Sequence, residues 1–432
     1  MLTKKILITS VFVCFITQFT SAETQSPSDA IAKRMGFSTK RLQRIDRLMN
    51  DYVEQGRFPG ISVSVVRRGQ LVYAKEFGYS DIKTKRPLKR DDIFRIYSMT
   101  KPITGVAVMM LYEEGKFMLW DPVSMYIPEF KDFKVFDSVE NGVVQTVECE
   151  REMTIRDLLR QTSGLGNGFE EGPTQDIYAT KEPYGRPDMT LEDATRKLPY
   201  SVPLCSQPGT VWKYGSSIDV LGRLIEIWSG QSLDQFMQQR IFKPLQMDDT
   251  SFYLSENKAD RLTNIYVWSK EKGLTELGKK DAYDLYIPDK NKFLSGGGNP
   301  GLLSTASDYL RFCQMLVNGG ILNETRLLNP RTVQLMSMNA LPECAFLKWP
   351  TTPNWVMLEG YGYGFTVCVR MDNAKSQALG SIGDYGWSGA ASTWFSIDPK
   401  EDLIILLLTQ TKHCDTEIQV KLKTLVYQAM LQ

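Results

Sequence analysis

A serine stands three residues before a lysine at four places: Ser80/Lys83, Ser98/Lys101, Ser255/Lys258 and Ser269/Lys272. The spacing matters chemically. Residues three apart on a helix share a face, so the amine can reach the hydroxyl and activate it as a nucleophile. The usual partner for such a serine is nearly absent, since His413 is the single histidine in 432 residues. That excludes paired-histidine metal sites and H-E-x-x-H metalloproteases. A Ser-His-Asp triad survives only if His413 is its base. His413 lies between Lys412 and Cys414 after an apolar run, and it reads as a surface loop residue.

Context separates the four pairs. Three lie in polar stretches with no apolar period behind them, so their side chains read as solvated. Only Ser98-Met99-Thr100-Lys101 joins an apolar lead-in (Ile93, Phe94, Ile96) to a helical run (Val106, Val108, Met109, Leu111). A serine there sits at a helix N-terminus, where free N–H groups and the positive dipole end favour a developing oxyanion. Pro102, with no N–H, is tolerated only near a helix start. An N-cap role for Ser98 is the competing reading. A lysine is a poor base unless burial or a second cation favours its neutral amine, and a tyrosine can share the proton transfer.

The elements that must position such a pair follow from hydrophobic period. Ser38 to Gln55 is helical, with Leu42, Ile45, Leu48, Met49 and Val53 on one face. Ile61 to Arg67 and Leu71 to Phe77, around Arg68-Gly69, read as a hairpin. Ile93 to Leu119, Thr154 to Arg160 and Ser217 to Trp228 read as helical. Gly164 to Pro187 and Asn257 to Lys292 are polar and rich in turn residues. Strands return at Gly364 to Met371, Ala391 to Ile397 and Leu403 to Thr409, before a last helix from Thr416 to Met430. The expected fold is α/β (α+β): a mostly antiparallel sheet from both termini, flanked by helices, with an inserted helical domain. Its body covers 38–430, with 38–95 and 296–430 as the α/β part and 96–295 mainly helical. A ligand cleft is expected where the parts meet.

Composition narrows the partners. With 51 basic and 50 acidic side chains, the net charge of +1 argues against nucleic-acid binding. Lys4 and Lys5, the apolar run Ile6 to Phe19, and Thr20-Ser21-Ala22 form a signal-peptide pattern over 1–22, with cleavage after Ala22. A periplasmic or secreted protein without a permanent membrane span is expected. Cleavage removes Cys14 and leaves Cys149, Cys205, Cys313, Cys344, Cys368 and Cys414, which an oxidising compartment permits either to pair or to stay as thiols. The acidic pairs Asp91-Asp92 and Glu170-Glu171 read as solvated loop charges, and Gly296 to Gly298 as a flexible turn.

The chain resembles the serine β-lactamase-like hydrolases, of the class C β-lactamase and family VIII carboxylesterase type. Ser98-Met99-Thr100-Lys101 looks like the first family motif, and Tyr214-Gly215-Ser216 like the second, within the lead-in Pro208 to Tyr214. Trp387-Ser388-Gly389 falls where β-lactamases carry Lys-Thr-Gly. Leu158 to Leu165, and Gly296-Gly297-Gly298 followed by Leu302 to Thr305, are also family-like. The resemblance runs from about Ser38 to the C-terminus. It implies Ser98 as nucleophile, Lys101 and Tyr214 as general base and acid, and the N–H of Ala390 as an oxyanion donor beside that of Ser98. Trp387, Ser388, Gly389 and Ser216 would line the substrate.

Two departures bear on the substrate. Trp387 replaces the cation that pairs with a substrate carboxylate, and an indole offers only an apolar face and one N–H. Ser216 replaces an asparagine amide. Both point to a short-chain carboxylic ester rather than a penicillin or a D-amino-acid peptide from the cell wall, which are the alternatives. A non-catalytic descendant of the fold is the remaining one, against which all proton-transfer positions are intact. No metal or cofactor enters this reading, and the partner is a small ester or amide.

Overall fold

Two stretches of chain far apart in sequence build the central sheet. Strands β1 (Gly60–Arg67) and β2 (Gln70–Asp81) form the expected hairpin, and β1 also pairs antiparallel with Leu403–Thr409. Across the sheet the order is Tyr361–Tyr363, Cys368–Arg370, Tyr385–Ser388, Trp394–Asp398, Leu403–Thr409, β1, β2 and Arg86–Pro87, every pairing antiparallel. These ranges come from a computed structural model. It describes residues 28–167, 173–181, 186–277, 286–287, 292–346, 360–376, 378–412 and 417–431. The signal segment 1–22, the Glu170-Glu171 pair, His413 and Cys414 lie outside the described residues.

The sheet is covered on both faces, and its sequence shows why. Leu403, Ile405 and Leu407 pack with Ile61, Val63 and Val65. On that face lie α1 (Asp29–Arg34), α2 (Thr39–Glu54) and the C-terminal helix Glu417–Ala429. Ile404, Leu406 and Leu408 turn the other way into the larger core, with Phe395, Trp387 and Tyr309. A strand buried on both faces needs a continuous apolar run, which Leu403 to Leu408 is. Helix α2 is capped by Ser38, whose hydroxyl accepts the Arg41 N–H, and it buries Leu42, Ile45, Met49 and Tyr52.

The run from Ile93 to Leu119 is not one helix. Phe94–Arg95 is a short strand paired with Leu303–Ser304, Tyr97–Met99 is a 3₁₀ turn, and α3 covers Thr100–Glu113. An apolar run alone cannot separate strand from helix. The polar stretches are also less bare than their composition. They hold α5 (Gln175–Lys181), after α4 (Ile155–Leu159), and the hairpin Tyr266–Ser269/Gly273–Glu276. Helix α6 (Leu191–Ser201) and α7 (Ser217–Ser229) follow α5, and α6 carries Pro199 inside it. An exposed hairpin, Lys134–Glu140/Val143–Glu148, had no clear signal in the sequence.

Two polar readings need correction. Ser80 is buried, not solvated, and its hydroxyl donates to the carbonyls of Arg86 and Pro87. Asp92 is buried as well, accepting the Lys89 N–H at 2.8 Å, whereas Asp91 is exposed. No disulfide joins the described cysteines. No helix among the described residues is long and apolar enough to cross a membrane.

Candidate active site

Ser98 sits where a strained turn meets a helix. Tyr97 before it has φ of +44°, a left-handed conformation that few side chains adopt, and α3 begins two residues later at Thr100. Tyr309 anchors this turn by donating its hydroxyl to the Met99 carbonyl at 2.9 Å. One turn on, Lys101 is buried with 3% of its surface exposed.

Tyr214 brings the two together. Its hydroxyl donates to Ser98 Oγ at 2.7 Å and accepts from Lys101 Nζ at 2.5 Å. Lys101 Nζ also donates to the Gly297 carbonyl and lies 4.5 Å from the Tyr214 ring centre. The three side chains thus form a continuous path for a proton from serine through phenol to amine. Nucleophile and base within hydrogen-bond reach is the arrangement that covalent catalysis requires.

The loop holding Tyr214 is fixed from below by α4 and the turn after it. Gln161, at φ +59°, accepts the Lys213 N–H at its carbonyl and the Gly215 N–H at its side-chain oxygen. A Cβ on Gly215 would meet the Leu165 carbonyl oxygen at 1.9 Å, so only glycine fits. Asn167 donates to the Tyr214 carbonyl at 2.9 Å. Beneath this, Asp157 caps α4 and takes Arg151 at 2.6 Å, Arg160 at 2.9 Å and the Thr162 hydroxyl at 3.0 Å. Burial pushes the Asp157 carboxyl up. The Arg151 hydrogen bond, the Thr154 N–H and the two guanidinium charges outweigh it and hold the group at about 2.

Ser216 holds the N-cap position of α7, and its hydroxyl is directed elsewhere than to Ser98. It donates to the Gly166 carbonyl at 3.1 Å and is buried. Trp387 is also buried, with 4% exposed. Its ring lies 5.8 Å from that of Tyr214 and stands edge-on to Tyr363 at 5.3 Å, so it backs the bridging tyrosine. Ser388 is half-buried opposite Trp394. Gly389 packs directly on the approach to the nucleophile, because a Cβ there would meet the Ile96 carbonyl oxygen at 2.4 Å. Its N–H donates to the Thr393 carbonyl and its carbonyl accepts the Ser392 N–H, closing a tight turn. Ala390 is exposed in that turn.

The sequence reading passed over Asp219 and misjudged Gly297. Asp219 lies in the first turn of α7, and its carboxylate accepts the Ser295 hydroxyl at 2.7 Å and the Gly297 N–H at 3.0 Å. Burial pushes this carboxyl up, opposed by those two hydrogen bonds and by the charge of Lys101. Gly296 to Gly298 is therefore a fixed strut rather than a loose turn, with Thr104 donating to the Gly296 carbonyl at 2.8 Å. A Cβ on Gly298 would lie 2.1 Å from the Tyr97 carbonyl oxygen. The available signal was an aspartate between Ile218 and Val220, in an otherwise apolar stretch. No cluster of metal-ligating side chains is present among the described residues.

Known proteins resemble this chain over most of its length. The family described as Beta-lactamase matches residues 45–425. Protein Rv1367c of Mycobacterium tuberculosis is 36% identical over 375 residues, which span 85% of this chain and 88% of that one. Esterase EstB of Burkholderia gladioli is 28% identical over 388 residues, 86% of this chain and 90% of its own. Among solved structures, EstCE1, a hydrolase with promiscuous acyltransferase activity, superposes with a TM-score of 0.72 at 25% identity, covering 92% of this chain and 100% of that one. With the family matched over most of its length, this chain belongs to the β-lactamase family and is a serine hydrolase of that fold.

Proposed function

We propose that the protein cleaves short-chain carboxylic esters through an acyl-enzyme on Ser98. The observation that carries this reading is the Tyr214 hydroxyl bridging Ser98 Oγ and Lys101 Nζ. As Ser98 attacks the carbonyl carbon, its proton passes to the Tyr214–Lys101 pair. The N–H groups of Ser98 and Ala390 hold the oxyanion of the tetrahedral intermediate. The pair then returns the proton to the leaving alcohol. Water enters, loses a proton to the same pair, and releases the acid.

The ester preference rests on Trp387. An indole buried against Tyr214 supplies no cation at the position where the family's β-lactamases carry one, which supports a neutral group there. The similarity to a protein named as an esterase points the same way. We also place the protein outside the cytoplasm, on the strength of Lys4-Lys5 and the apolar run Ile6 to Phe19. The mass of the mature chain would report cleavage after Ala22.

A fluorophosphonate probe tests the nucleophile, and the expected result is an adduct on Ser98 that Ser98→Ala abolishes. Turnover of p-nitrophenyl butyrate against that of a chromogenic cephalosporin tests the substrate class. Faster cephalosporin hydrolysis at equal concentration would sink the ester reading. No adduct on folded protein would remove the enzymatic one.

A further inference from the structure

The segment that receives Lys101 is anchored to a buried charge behind it. Asp219 lies in the first turn of α7, where the positive end of the helix dipole favours an anion. Its Oδ1 receives two hydrogens, from the Ser295 hydroxyl at 2.7 Å and the Gly297 N–H at 3.0 Å. The serine is committed to this direction, because its oxygen accepts the Asn299 N–H at 2.8 Å. An oxygen that takes two donors in a buried site is arranged as a carboxylate.

Gly297 connects this anion to the base. Its N–H is on the carboxylate and its carbonyl accepts Lys101 Nζ, so one residue separates the two charges. The Asp219 carboxyl feels the charge of Lys101 accordingly. The next residue, Gly298, lies against the nucleophile's backbone, where a Cβ would come within 2.7 Å of the Ser98 nitrogen. The anchored segment therefore touches the amine and the serine together. Other charged groups on and around α7 have their own neighbours. Arg223, one turn on, pairs with Glu192 of α6 and with Glu226. On α4, Asp157 takes Arg160, and on the helix Leu233–Met237, Asp234 bears on Tyr253. Lys101 is the cation that acts on Asp219, and Tyr214 is the titratable group between that cation and Ser98.

We infer that Asp219 is a positioning residue whose negative charge, held by Ser295 and Gly297, strengthens the Tyr214–Lys101 pair as the base that takes the Ser98 proton. The inference rests on the Ser98 acyl-enzyme reading and deepens it. When the proton leaves Ser98 Oγ for the pair, positive charge gathers at Lys101. An anion one residue away favours that state, and it does so strongly at the low dielectric of a buried site.

Asp219→Asn tests the charge apart from the anchoring, because the amide keeps an oxygen able to accept both donors. The rate at which a fluorophosphonate labels Ser98 is followed on the full chain from about pH 5 to about pH 9, and its acid limb reports where the pair loses its proton. Taking the anion away weakens the pair's hold on a proton. The limb is therefore expected to move to lower pH by about one unit, with a few-fold lower plateau above it. Ser295→Ala keeps the carboxyl but removes a donor that holds it charged, and it should shift the limb in the same direction by less. A residue that served only to brace the segment would, when changed, lower the rate equally at every pH. An unmoved limb in Asp219→Asn overturns the inference, as does one in Ser295→Ala if circular dichroism shows the first variant unfolded. Absence of any Ser98 adduct in the parent would strike the acyl-enzyme reading itself, so the two failures are distinct.

Discussion

Two buried lysines in this molecule meet opposite surroundings. Lys423, on the C-terminal helix, lies 2.8 Å from Asp384, which also takes Arg370 at 2.7 Å. All three are buried, and Asp398, held by the Tyr427 hydroxyl at 2.5 Å, adds a second carboxylate nearby. Lys101 is as buried but touches only neutral oxygens, the Tyr214 hydroxyl and the Gly297 carbonyl. Asp219, whose carboxyl feels the Lys101 charge, is tied instead to Ser295 and the Gly297 N–H. Burial pushes the Lys423 amine down, and the contact with Asp384 opposes this by favouring the charged form, so this lysine is one member of a buried ion cluster. The role proposed for Lys101 needs contact with the Tyr214 hydroxyl, and the contacts it makes are to neutral oxygens. The fold provides both environments within one chain, by deciding which lysine meets an anion directly.

The largest expected effect breaks the catalytic side. Lys101→Met keeps the length of the side chain and removes the amine, and kcat for p-nitrophenyl butyrate should drop about 10³-fold or more. The circular dichroism spectrum should remain that of the folded protein. Loss of structure in step with loss of activity would make Lys101 another structural lysine and erase the contrast.

The structural side should fail in the opposite manner. Asp384→Asn leaves Arg370 and Lys423 buried without the anion they share, which is expected to cost about 3–5 kcal/mol in denaturant unfolding. The kcat of the fraction that remains folded should stay within a few-fold of the parent. A collapse of kcat at unchanged stability would show that this cluster couples to the site.

Another buried carboxylate sharpens the contrast through pH. Asp157 is held at about 2, below the ordinary 3.8, because Arg151, the Thr154 N–H and Arg160 outweigh its burial. The folded carboxyl is the stronger acid. Its stabilising contribution is therefore complete above about pH 4 and is lost as pH falls toward 2. The gap corresponds to about 2 kcal/mol. Asp157→Asn should lower the urea midpoint at pH 7 and lessen its fall between pH 4 and pH 2. Parallel pH profiles for parent and variant would remove Asp157 as the source.

How much of this was legible in the sequence follows the distance over which each signal acts. Ser98 and Lys101 share their spacing with three other pairs, and the apolar lead-in and helical run on either side single them out, a signal that is still local. The run Leu403 to Leu408 is apolar at every position and reads as a strand, and the structure shows it buried on both faces. Tyr214 is 116 residues from Ser98, and only its motif resemblance connected the two. The strut from Asp219 to Gly297 spans 78 residues and has no local period, so nothing in the pattern joined its ends. Ser80 and Asp92 have polar neighbours, and sequence alone points to solvated side chains there. Their burial comes from tertiary packing that no short window reports.

The smallest expected effect bears on that strut and asks whether its glycine is a hinge or a spacer. A Cβ on Gly297 would meet Asp219 Oδ2 at 2.6 Å and Cγ at 3.0 Å. Asp219 is buried and tied to Ser295, so it cannot simply swing aside. Gly297→Ala must then displace the backbone whose carbonyl receives Lys101, and kcat should fall about tenfold, the cost expected of a small misplacement. Gly222 in α7 supplies the control. A Cβ there would press on side-chain atoms of Leu233 at 3.1 Å and Leu191 at 3.2 Å, with Gly296 Cα at 3.8 Å, an ordinary van der Waals distance. The leucine side chains can give way, and alanine favours a helix by about 1 kcal/mol over glycine. Gly222→Ala should therefore leave kcat near the parent value. If Gly297→Ala did the same, the segment would be a tolerant loop after all, and the position of Lys101 would rest on Tyr214 alone.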